Sequence, residues 1–115
     1  MGGLKLFAAF ASSFLILASP AQAAGDAGTF YVLEVSVEGN EPIVYVKATG
    51  INNPDGCSST SAISLTAVSQ EVQDRMLATA LTAKASGKRL GGWLNGCVSS
   101  PWGTIPKAIN VSLKD

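Results

Sequence analysis

The chain is 115 residues long and 47% hydrophobic, with eight Lys and Arg against eight Asp and Glu and no histidine. One domain is the expected count at this length, and the interspersed, near-neutral charge lacks the clustered basic surface that nucleic acid or an anionic membrane surface requires. Without histidine, Ser-His-Asp and Cys-His catalytic arrangements are excluded.

The first segment carries one cation, Lys5, then a mostly apolar run over residues 6–17, a break at Ser19-Pro20 and the small residues Ala21-Gln22-Ala23. That order reads as a signal peptide, residues 1–23, cleaved before Ala24. A twelve-residue helix would rise about 18 Å, short of a hydrocarbon core of about 30 Å, so no membrane span is expected. Residues 24–115 are then a single exported domain, secreted or periplasmic in a bacterium. An oxidising destination allows Cys57 and Cys97 to pair. One structural disulfide is the leading reading, worth roughly 4 kcal/mol for the loop it closes. An intermolecular bridge and a redox pair are the other options, the latter without a Cys-x-x-Cys motif. Two thiols without histidine do not fill a tetrahedral metal site, and no cofactor motif is present, so neither metal nor cofactor is expected.

After a small, polar start, Tyr31, Leu33, Val35 and Val37 alternate with Val32, Glu34, Ser36 and Glu38, the period of a half-buried strand. Gly39-Asn40 signals a turn. Residues 43–49 are again rich in β-branched and aromatic side chains, with Lys47 on the wet side, so the two runs form an antiparallel hairpin. Residues 50–56, with Asn52-Asn53-Pro54-Asp55-Gly56, are a dense cluster of turn formers and read as a loop. A short strand is expected over residues 62–68.

The clearest helix follows, Gln70–Ser86. Ser69 is its N-cap, Glu71 and Asp74 place negative charge near its start, and Gly87 suits the position just past its end. Val72, Met76, Ala80 and Ala83 form an apolar stripe broadened by Leu77 and Leu81, to be laid on a sheet. Residues 88–95 read as a strand in which Gly91-Gly92 marks a bulge or a close backbone approach. Gly96-Cys97 ends it, residues 98–103 form a loop with Pro101 and Trp102, and Ile105, Ile109, Val111 and Leu113 define a last strand with Lys107 and Asn110 facing out.

Among side chains that carry chemistry, the carboxylates are explained as solvated surface, and no enzyme is expected. The aromatic residues are the better lead. Trp93 and Trp102 flank Cys97; Asn95 lies between them, and Asn53 and Asp55 come near through the presumed disulfide. Indole faces beside amides and carboxylates suit a sugar, whose C–H faces stack on the ring while its hydroxyls take hydrogen bonds. The competing reading is that both rings only cover the disulfide and seal a small core.

The stretch from Met76 through Lys88, ending in Ser86-Gly87-Lys88, runs on to Trp93-Leu94-Asn95-Gly96-Cys97 and a closing strand. In this order of elements, over residues 62–113, the chain resembles the family of proteins like the B subunit of subtilase cytotoxin, small exported domains similar to the B subunits of AB5 toxins. The resemblance implies an α+β, mainly β fold: a small five-stranded OB-like barrel with one helix packed on it. It also implies glycan recognition and a homo-oligomer, pentameric in the toxins, where the ring carries a catalytic A subunit. The expected function is thus an exported, non-enzymatic module that binds a glycan or a partner protein. The alternative is a periplasmic structural or inhibitory protein that inserts the loop at residues 98–103 into another protein's cleft.

Overall fold

The computed structural model describes residues 23–40, 43–67 and 69–115. The expected signal peptide, all but Ala23, lies outside them. The elements are β1 (Gly25–Asp26), β2 (Phe30–Val37), β3 (Val44–Ala48), β4 (Ala62–Ser64), α1 (Gln70–Ser86), β5 (Arg89–Ser100) and β6 (Gly103–Leu113). Pairing runs β5–β2–β3–β4–β6 and returns from β6 to β5, so five strands close a ring, and β1 adds to β5 beside β2. Every pairing is antiparallel except β4 with β6, which meet at Ser64 and Lys107. This is the α+β, mainly β architecture with one helix that the sequence led us to expect.

The core follows from the alternation. Val44, Val46 and Ala48 of β3 point inward and meet Phe30, Val32, Ile63, Leu65, Leu90, Leu94 and Ala108. The helix contributes Met76, Ala80 and Ala83 to the same cluster and packs across β2, β5 and β6. Each fully buried Leu, Ile or Val contributes about 1.5–3 kcal/mol to such a core. Local chemistry sets the helix ends. Ser69 accepts the Val72 N–H at 3.1 Å, and Gly87, in the left-handed region, sends its N–H to Ala83. Only glycine adopts that conformation without strain.

Four expectations are corrected. In β2 the inward residues are Phe30 and Val32, whereas Tyr31 and Leu33 are exposed; an irregularity between Val32 and Glu34 shifts the register against β3. An extra residue in a strand turns the side chains after it to the other face. On the helix, Val72 and Leu81 lie in solvent and Gln73 is buried, its Oε1 accepting the Ala67 N–H at 3.4 Å. The strand expected over 62–68 ends at Ser64. The strand expected to stop at Cys97 continues to Ser100, so residues 98–103 are a hairpin end turning at Pro101-Trp102, not a loop.

The glycine pair behaves as expected. A Cβ on Gly92 would stand 2.0 Å from the Asn110 carbonyl oxygen, and its φ of +156° is one that side chains rarely adopt. Here β6 passes too close for anything larger than hydrogen, just before the register shift at Trp93 and Leu94. Among the described residues, no helix is long and apolar enough to cross a membrane.

Candidate functional site

Because Val44, Val46 and Ala48 face the core, Tyr45 and Lys47 project from the outer face of β3. That face is covered by the far end of the β5–β6 hairpin. Tyr45, Ala62 and Ile105 form a second buried cluster, with Ile43 and Val98 packed against it. At the tip, the Trp102 ring meets Tyr45 edge-on, 5.0 Å between centroids at 71°. The Lys47 ammonium lies 4.6 Å over the same indole and 3.8 Å from Glu34. A cation over an indole face contributes about 0.5–1 kcal/mol at an exposed site.

The hairpin end is held rather than loose. Ser100 Oγ donates to the Gly103 carbonyl at 2.6 Å and accepts the Trp102 N–H at 3.1 Å, which closes the turn. Below it, the Ser58 N–H donates to Thr104 Oγ1 and the Thr104 N–H to Ser58 Oγ, both at 2.8 Å, and the Ser59 N–H donates to the Thr104 carbonyl at 2.9 Å. A Cβ on Gly103 would stand 2.5 Å from Ser58 Oγ, so glycine is what lets the two segments approach.

Between this held tip and the β2–β3 turn lies a groove of about 370 Å³ lined by Glu38, Asn40, Ile43, Tyr45, Ser99, Ser100 and Pro101. Its volume falls within the roughly 300–1,000 Å³ of small-molecule sites. The lining offers a carboxylate, an amide and two serine hydroxyls beside the apolar surfaces of Ile43, Tyr45 and Pro101. Among the described residues Glu38 is the one charged residue in that lining, and the Lys47 ammonium is occupied by Trp102 and Glu34. The described lining offers donors and acceptors to an uncharged polar ligand and, among those residues, no cation to neutralise an anion.

The residues singled out from the sequence fall into three places. Cys57 and Cys97 are joined, with 5.7 Å between their Cα atoms. Asn53 and Asp55 gather around that bridge and are engaged there. The Asn53 amide donates to the Cys57 carbonyl and accepts the Cys57 N–H, both at 2.8 Å. Asp55 Oδ2 accepts the Gly96 N–H at 2.6 Å, and Oδ1 accepts the Ala23 N–H. Together these bonds and the disulfide clamp the loop before β4 onto β5. Trp102 packs on Tyr45, which lines the groove, and is not itself in the lining. Trp93 sits opposite Asp26 and Asn110, roughly 20 Å back along β5 from Ser100, so the two indoles do not share a site. Asn95 is half-buried, and its Oδ1 has no hydrogen-bond partner among the described residues.

Most of the groove lies outside the residues that the sequence singles out. Glu38, Asn40, Ile43 and Tyr45 read there only as hairpin, and Ser99 and Ser100 only as loop. The two connections that border the groove, β2–β3 and β5–β6, are far apart in sequence and are brought together by the closing of the ring. No protein-family model, curated protein or solved structure matches the chain.

Proposed function

We propose that this protein is an exported, non-enzymatic binding module that takes an uncharged glycan in the groove between the β2–β3 turn and the β5–β6 hairpin tip. The position of that groove on the ring carries the reading, since OB-type rings bind oligosaccharides and oligonucleotides on this face. The near-neutral chain and the Glu38 carboxylate in the lining disfavour the oligonucleotide. The resemblance to B subunits of AB5 toxins supports the same function, including assembly with copies of itself. Absence of histidine supports a binding rather than a catalytic role. An array of neutral and acidic glycans, probed with the folded, oxidised protein, tests it. Neutral glycans should be retained, and Asn40→Ala or Ser99→Ala should weaken them about tenfold, the scale of one lost hydrogen bond to a well-placed partner. A blank array removes the reading. Retention of acidic sugars alone, enhanced in Glu38→Gln, removes its charge selectivity.

A second reading rests on one observation: Pro101 and Trp102 are exposed at the tip of a hairpin anchored at its base. A rigid protruding hairpin is the shape with which an inhibitor fills another protein's cleft. In that case one periplasmic protein is recovered in stoichiometric amount, and Trp102→Ala abolishes its capture.

A further inference from the structure

We infer that β2 is the surface through which two copies of this chain join, pairing edge to edge and antiparallel about Val35. The inference rests on the self-association in the function proposed above but narrows it to a pair, because a two-fold contact closes at two copies and does not by itself build a five-membered ring. Hydrogen bonds alternate along an antiparallel pair. The Glu38 N–H donates to the Ile43 carbonyl at 2.9 Å, and the register places Ser36 opposite Tyr45 and Glu34 opposite Lys47. These residues therefore spend their backbone groups on β3, and the N–H and C=O of Val35 and Val37 face the other way. On that other side β5 pairs only with Phe30 and Tyr31. Among the described residues nothing bonds to the edge beyond them.

Two other edges of the ring have chain beside them. The edge of β5 past Trp93 is met by the clamped loop, where Asp55 takes the Gly96 N–H. The edge of β6 past Lys107 runs beside α1, with a cleft of about 180 Å³ between them lined by Val72, Met76 and Ile109. The open strip is also apolar: Leu33 and Val37 are 56% and 62% exposed, and Tyr31 next to it 60%. An apolar edge with unpaired backbone groups is a template for another strand.

Charge and shape select a second copy as the occupant. With Val35 opposite Val35, each N–H donates to the other carbonyl, Leu33 faces Val37 across the axis twice, and Glu34 faces Ser36. Moving the register so that Val35 faces Val37 sets Glu34 against Glu38, which like charge disfavours. The strip is self-complementary in the first register, as a two-fold contact requires. A five-residue edge buries less than the roughly 1,200 Å² of a standard interface, so pairs are expected at concentrations on the order of 100 µM.

The test is sedimentation velocity on the oxidised protein from about 10 µM to about 1 mM, with amide exchange followed by NMR. The mass should rise towards two chains while the Val35 amide becomes protected. Val35→Pro removes an N–H that makes no bond within the ring, so it should keep the fold, checked by circular dichroism, and stay monomeric. Should that variant misfold, Val37→Lys places a charge on the edge and should weaken pairing about tenfold. A monomer at every concentration overturns the inference, as does an oligomer of any size in which the Val35 amide exchanges as freely as in dilute solution. Either outcome leaves the groove to be judged by the glycan array alone.

Discussion

Replacing Cys57 and Cys97 together with alanine should cost this domain a large part of its stability. The two cysteines are 40 residues apart and bridged. On the chain-entropy account, closing a loop of that size in the unfolded state is worth about 4 kcal/mol at 25 °C. A domain of this size has roughly 5–15 kcal/mol in total. The melting temperature should therefore fall by ~15–30 °C, at ~4–8 °C per kcal/mol. Urea unfolding followed by tryptophan fluorescence measures the difference directly, and reducing the unaltered protein should reproduce it. The noncovalent clamp offers an internal control, because the Gly96 amide stays bonded to Asp55 in the folded mutant and should keep its slow exchange. A loss under about 1 kcal/mol, with two-state unfolding retained, would refute the reasoning. It would mean that the unfolded chain already holds the loop before β4 near β5.

Gly92→Ala should fail to fold or lose more than ~3 kcal/mol, because its Cβ would sit on the Asn110 carbonyl and neither backbone can retreat without opening the β5–β6 ladder; soluble yield and thermal denaturation report it. Ser69→Ala removes the acceptor for the Val72 N–H and should cost about 1 kcal/mol in urea unfolding, with Ser69→Asp restoring it. A double-mutant cycle on Lys47→Met and Trp102→Leu should return a coupling of ~0.5–1 kcal/mol, and a value near zero would deny that the ammonium holds the hairpin tip. Glu38→Lys should shift the groove towards acidic glycans, read on the same array as the parent, without changing the melting temperature by more than a few degrees.

What could be read along the chain was what neighbouring residues decide among themselves. The helix ends where Ser69 and Gly87 place it, since a cap is a contact between residues three or four apart and needs no distant partner. The closeness of backbones at Gly91-Gly92 was legible for the same reason, as glycine pairs occur in strands where a side chain does not fit. The inward face of β2 was not legible. Tyr31 and Leu33 carry as much apolar surface as Phe30 and Val32, and alternation alone cannot say which set faces the core when a register shift follows. Val72 and Leu81 fall in the helix stripe by spacing, yet both stay exposed in the folded chain.

The candidate site shows the same division more sharply. Turn chemistry at Gly39-Asn40 and at Pro101 marks the two chain reversals, but their distance in sequence gives no hint that they share a groove. They meet because closing the ring brings the β5–β6 hairpin over the outer face of β3, where Tyr45 and Ile105 need cover from water. Asn53 and Asp55, polar and close to a disulfide, look like ligand contacts in the linear chain; in three dimensions Asn53 Oδ1 is taken by the Cys57 amide and Asp55 Oδ2 by the Gly96 amide. Sequence by itself determined the order of β2 to β6 and the helix, though not β1, the capped helix ends and which cysteines were there to pair, all set by local propensity and spacing. Tertiary structure decided the faces, the groove and the open edge, because burial is a property of the whole ring and each strand learns its inside only when the last one closes it.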